Sequence, residues 1–360
     1  MPEPSPVVRA LFLRLRVPPG VAAQVDWVSG TLRVNRGRAE WDAFFRNPLA
    51  DKDLLLTLEH EAHHVLQICA LTYLYEFAVL LHAIVASVLD QHYGDLASLP
   101  DDLGEAHEAV RSRLWDLVWR DEDGLSPKDI VESVTWFAEA PPGARDSLRR
   151  YLEYLEATKP DTTYRRAFEL FAARVASGDE RVGDFFPVVS NLSLCCRDPR
   201  GAFRALSDAV ASGRVTRQTD LGGYQDLCAE IEPGFRGFAW QYAASLPAMP
   251  FRFTFTETQR TLTRDPEREH RLLSWLINPS AHIEELFGEA LNTVPTLLNP
   301  VGDREHEGFS EWFLDARGIR DFGPFRLEDR PYWLQYLAAV SRKYIEDIGP
   351  PPPGVTRIRR

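Results

Sequence analysis

The sequence predicts an α+β protein, predominantly α: a short N-terminal antiparallel β-sheet packed on an H-E-x-x-H helix, followed by a long helical region. Two observations predict it. Apolar residues alternate with polar ones mainly near the start of the chain, the period of a half-buried strand. From Asp51 onward the apolar spacing turns to threes and fours, and prolines punctuate the helices.

In chain order, Leu11, Leu13, Leu15 and Val17 alternate with Phe12, Arg14 and Arg16. Asp26-Trp27-Val28 and Thr31-Leu32-Arg33-Val34 flank Ser29-Gly30, the pattern of a tight hairpin. Pro100, Pro141-Pro142 and Pro160 then separate helices near 54–92, 102–120, 127–140, 144–157 and 161–177. Gly222-Gly223-Tyr224 reads as a turn, and a lone strand is expected at Phe251, Phe253 and Phe255. Further helices follow near 266–277, 280–292, 306–317 and 331–347, and a proline run from Pro350 to Pro353 opens a loose tail. A boundary at Lys159-Pro160-Asp161 divides the chain into 1–158, which carries the histidines, and 159–360, mostly helical. One continuous domain is the alternative.

At 360 residues the chain can bury one large core or two medium ones. With 44% hydrophobic and 26% charged residues it is an ordinary globular sequence. Net charge is −12, only four lysines occur, and the arginines are dispersed. That balance argues against a nucleic-acid backbone as the main partner. Cys69, Cys195, Cys196 and Cys228 show no C-x-x-C spacing and read as buried thiols of a reducing cytoplasm. The first twenty residues lack the order of a signal peptide. Gln67, Glu76 and His82 interrupt the most apolar stretch, so no membrane span is expected.

The chemistry lies in Thr57-Leu58-Glu59-His60-Glu61-Ala62-His63-His64-Val65-Leu66. His60 and His64 are one helical turn apart, separated by only ~40° around the axis, which lets them share one ion. Glu61 falls ~60° beyond His64, and His63 lies ~60° to the other side of His60. Leu55, Leu58, Ala62, Leu66, Cys69 and Tyr73 form the opposite, core-packing side. Two neutral imidazoles leave a zinc ion an open position for water, and Glu61 beside that water is the natural general base.

This segment resembles the zincin metallopeptidase signature. Thr57 stands three before the first histidine, Leu58, Ala62 and Val65 keep the surroundings uncharged, and Leu66 is the apolar residue two after His64. The resemblance implies Zn2+, a peptide or protein substrate, and β-strands before the motif helix whose edge binds an extended chain. The metzincin continuation fails, because Gln67 and Ala70 stand where glycine and histidine are required. The gluzincin pattern remains, with a glutamate from a later helix as third ligand. Glu132 is the candidate, on a helix capped by Ser126 and started by Pro127. Trp136 occupies the position four after it, where some gluzincins are acidic. Glu105, Glu108 and Glu139 are reserves. Glu76 is too far along a continuous helix, and His82 reads as a core histidine.

Two other functions fit the residues. A di-iron or di-manganese oxygenase would use Glu61 with His64, Glu132 as a bridge, and Glu267 with His270 as a second E-x-x-H pair. A non-catalytic protein would keep the fold and use its helical half for interaction. His282 with Glu284 and Glu285 reads as a solvated face, and Tyr224 and His270 are unranked candidates for an oxyanion donor.

Overall fold

The computed structural model describes residues 23–27, 30–36, 38–47, 50–91, 112–175, 184–243, 254–291, 293, 296–298, 312–315 and 318–321. It is α+β and predominantly α. Among the described residues five strands form one sheet, in order β1 (Ala23–Asp26), β2 (Thr31–Val34), β3 (Thr296–Leu298), β4 (Trp312–Asp315) and β5 (Gly318–Asp321). β1 and β2 make the expected hairpin, Ala23 opposite Val34 and Asp26 opposite Thr31. β2 pairs in parallel with β3, Leu32 opposite Thr296, and β3, β4 and β5 are antiparallel neighbours. Gly30 turns the first hairpin at φ 62°. A Cβ there would stand 2.5 Å from Thr254 Cβ, so both the backbone angle and the close approach require glycine.

The helices are α1 (Arg38–Arg46), α2 (Lys52–Ala70), α3 (Thr72–Gln91), α4 (112–118), α5 (Pro127–Glu139), α6 (Pro142–Arg145), α7 (Leu148–Thr158), α8 (Thr162–Arg174), α9 (Phe186–Ser193), α10 (Pro199–Ala211), α11 (Leu221–Ile231), α12 (Ala239–Ala243), α13 (Thr254–Leu262), α14 (Pro266–Ile277) and α15 (Ile283–Leu291). α2 carries the histidines. It begins where the Asp51 carboxylate accepts from Leu54 N. It buries Leu54, Leu58, Ala62, Val65, Leu66 and Cys69 against β1, α5, α13 and α15. Leu55, expected on that buried side, is 38% exposed. It sits in the helix's first turn, where Leu54 and Leu58 take the core side. Behind α5, Phe137, Tyr151, Phe168 and Phe186 interlock, with Tyr151 and Phe168 rings 4.4 Å apart and Phe168 and Phe186 4.9 Å apart.

Four expectations are corrected. The single helix over 54–92 is two, bent by 86° at Leu71, which is extended at φ −100°, ψ 118°. Tertiary hydrogen bonds make the break. The Cys69 carbonyl, which would accept from Tyr73 N, accepts instead from Gln259 Nε2 at 2.7 Å, and Tyr73 N donates to the Leu194 carbonyl at 3.0 Å. Phe255, expected in a strand, lies in α13, whose buried residues Thr254, Phe255, Thr258, Gln259 and Leu262 follow helical spacing. Phe251 and Phe253 lie outside the described residues. Gly222-Gly223-Tyr224, read as a turn, forms the first turn of α11 behind an Asp220 cap that accepts from Gly223 N. Trp312–Asp315, expected within a helix, is β4, held by ladders to β3 and β5. The strand at Leu11–Val17, the helix at 331–347 and the tail lie outside the described residues. Among those described, no single helix is long and apolar enough to cross a membrane, though α2 and the start of α3 pass as a bent pair.

Candidate metal centre

α2 and α5 pack side by side and bring together the residues the motif singled out. His60 Nε2 and His64 Nε2 are 3.0 Å apart, and Glu132 Oε2 lies 3.6 Å from the first and 3.4 Å from the second. Glu132 Oε2 is buried and makes no hydrogen bond. Three donor atoms at such spacing fit one face of a tetrahedron, since ligands about 2.0–2.1 Å from a central ion stand about 3.3 Å from one another. No other group of three described histidines, cysteines, aspartates or glutamates converges in this way.

The other ring nitrogens fix how the histidines present themselves. His60 Nδ1 is 2.6 Å from Glu139 Oε1, and His64 Nδ1 is 2.9 Å from Gln67 Oε1. Gln67 is itself held by donating Nε2 to the Val131 carbonyl at 3.2 Å. With both partners as acceptors, each Nδ1 carries a proton, which leaves each Nε2 as the ring atom beside Glu132 and the one available to an ion. Glu139, a reserve ligand in the sequence, therefore orients His60 from behind. Gln67, noted only where it breaks the metzincin pattern, does the same for His64.

Charge follows the geometry. Burial opposes the His60 imidazolium, but the Glu132 and Glu139 carboxylates beside it outweigh burial and raise its pKa well above the ordinary value. Burial likewise opposes the His64 cation, and the Glu132 carboxylate reverses the sign and raises it. Glu132 loses solvent too, yet the two imidazoles hold its carboxyl far below the usual range. These carboxylates that favour protons on the histidines equally favour a dication in their place. Metal uptake must then displace those protons, so affinity is expected to climb with pH through the raised histidine range.

Glu61 is buried beside the pair, facing the same cavity. Burial raises its pKa, an effect partly offset by His64, His60 and the Val25 backbone N–H on β1. His63 turns away and stacks on Trp275, whose Nε1 donates to His63 Nδ1 at 3.2 Å. Burial pushes its pKa down to about 3, so it stays neutral.

The centre opens on a cavity of about 450 Å3. Strand β1 and Trp27 form one side, Phe77, Leu81, Leu114 and Leu117 are its apolar lining, and Tyr164 and the exposed Lys128 also border it. Tyr164, which the sequence reading missed, comes from α8, with its ring 6.0 Å from His60 and 5.3 Å from Trp136. Burial, Glu132 and Glu61 raise its hydroxyl pKa, keeping it a proton donor.

The remaining candidates lie elsewhere. Glu76 pairs with Arg236 at 2.6 Å and Arg113 at 3.4 Å. His82 is buried in α3, as expected of a core histidine. Glu267 is exposed and pairs with Arg271, and His270 is exposed. His282 pairs with Glu285 on the surface at 2.9 Å. Tyr224 is buried in α11 and does not line the cavity. Glu105 and Glu108 lie outside the described residues.

If Glu139 orients His60, Glu139→Gln weakens zinc binding about 10–100-fold while leaving the fold intact. Competition against a chromophoric chelator measures this, and a change below about twofold would remove Glu139 from the site.

Compared with family models, with curated proteins and with solved structures, the chain matches none.

Proposed function

We propose that this chain is a zinc-dependent metallohydrolase, most simply a peptidase of the gluzincin kind, with His60, His64 and Glu132 as ligands and Glu61 as general base. The observation that carries this is the near-equilateral triangle of His60 Nε2, His64 Nε2 and Glu132 Oε2, with the hydrogen-bond capacity of Glu132 Oε2 unused. The donor set of two imidazoles and one carboxylate suits Zn2+. Bound there, zinc supplies a Lewis acid and a water acidified to near neutrality.

The chain's own residues do the rest. Glu61 takes the proton of the attacking water at its carboxylate and returns it to the departing amine. Tyr164 contributes a neutral hydroxyl to the oxygen that gains charge. β1, the outermost strand of the sheet among the described residues, lines the cavity and puts main-chain groups within reach of an extended substrate. The four cysteines are buried free thiols, in keeping with a cytoplasmic protein. The acidic charge balance speaks against a nucleic-acid partner.

The oxygenase alternative needs a second carboxylate–histidine pair, and Glu267 and His270 do not supply it, being exposed rather than at the centre. The deciding experiment is elemental analysis of purified protein beside His60→Ala/His64→Ala. About one zinc per wild-type chain and none in the variant is expected. Two irons would favour the oxygenase, and no metal even after zinc is supplied would leave the non-catalytic alternative.

A further inference from the structure

Lys128 lines the cavity from the second residue of α5, one helical turn before Glu132. Among the described residues that line it, it is the sole lysine or arginine. Its side chain makes no hydrogen bond or ion pair with a described residue, although its charge helps hold the Asp161 carboxyl down from across α8. Residues four apart on a helix stand about 5–6 Å from each other at Cβ, so the exposed, flexible Lys128 side chain is rooted at the cavity one turn from Glu132. Consecutive Cα atoms of a peptide are about 3.8 Å apart, so a chain that ends one residue beyond the centre carries its anion toward that side of the cavity. The same cavity is lined by the aliphatic side chains of Leu114, Leu117, Val118 and Val131.

From this juxtaposition we infer that the substrate ends one residue beyond the cleaved bond, with its free α-carboxylate on Lys128 and a bulky apolar terminal side chain against the neighbouring aliphatic wall. This rests on the hydrolase assignment and narrows it to removal of a C-terminal amino acid from a peptide or an N-acyl amino acid. Water adds its oxygen to the carbonyl carbon and the C–N bond breaks. The proton passes through Glu61 to the leaving nitrogen, and a free amino acid departs. The cavity volume of about 450 Å3 is suited to so short a leaving segment.

The test uses the full zinc-loaded chain, its metal content verified first, with N-benzoylglycyl-leucine, its C-terminal amide and N-benzoylglycyl-glycine. In the wild type, kcat/KM for the leucine acid is expected to exceed that for the amide and for the glycine analogue by about tenfold or more. Lys128→Gln should bring the acid down to the level of the amide. Binding of the same compounds to Glu61→Gln protein, followed by calorimetry, should repeat both preferences without turnover. Equal treatment of acid and amide, a preference that survives in Lys128→Gln, or no binding of any of the three to zinc-loaded protein would overturn the inference while leaving the metal centre standing. Failure of the wild type to hold zinc would overturn the hydrolase assignment itself.

Discussion

Glu61→Gln should retain about one zinc per chain and lose about 10²–10⁴-fold in kcat on any peptide the wild type hydrolyses. The amide is close to isosteric with the carboxylate, and Glu61 is not among the three converging donors, so metal content should be unchanged. What is lost is the group that accepts the water's proton and returns it. Burial raises the Glu61 carboxyl pKa in the metal-free chain, and a bound dication would oppose that shift. The acid limb of the wild-type pH profile, where Glu61 becomes protonated, should vanish in the variant. Wild-type turnover in Glu61→Gln would mean that another group is the base.

Asp129→Ala should destabilise the fold by about 3–5 kcal/mol and weaken zinc binding with it. Asp129 is fully buried. Its carboxylate accepts from Arg120 Nε at 2.9 Å and Nη2 at 2.6 Å, and from Ser126 N and Oγ at 2.8 and 2.7 Å. Truncation leaves the guanidinium without its planar partner and removes one half of the capping box of α5. Glu132 stands three residues further on, so a frayed first turn displaces the proposed third ligand. Urea denaturation of the metal-free protein isolates the stability effect, and a loss below about 1 kcal/mol would show that the Arg120–Asp129 pair does not hold this helix. Asp129→Asn keeps an acceptor toward Ser126 and should lose less.

The centre was more legible than the path of the chain around it. His60, Glu61 and His64 needed only helical spacing. Glu132 followed from a capped helix with a polar face, which α5 is. Glu139 lies seven residues after Glu132 and Gln67 three after His64, both spacings that keep a helix face, so their presence at the site was within reach of the same rule. Tyr164 was not. Its place depends on α8 packing along α5, and nothing in its local sequence marks that face. The break at Leu71 was equally invisible, because neither proline nor glycine is there. Its causes, Gln259 and the Leu194 carbonyl, lie more than a hundred residues away. The alternation around Phe255 misled because Phe255, Thr258, Gln259 and Leu262 also satisfy a helical period, and burial selected that one.

The bend at Leu71 has a consequence for how the protein is made. Until α13 and the segment at Leu194 have been synthesised, nothing holds the Cys69 carbonyl and the Tyr73 amide apart. The nascent Lys52–Gln91 stretch is then free to run as one straight apolar rod about 60 Å long, at about 1.5 Å per residue. Such a rod is the species that chaperones recognise and that aggregates by its sides. The ligand-bearing turn is thus translated early and completed late, and a ribosome must finish about 260 residues before Gln259 can close the corner beneath it.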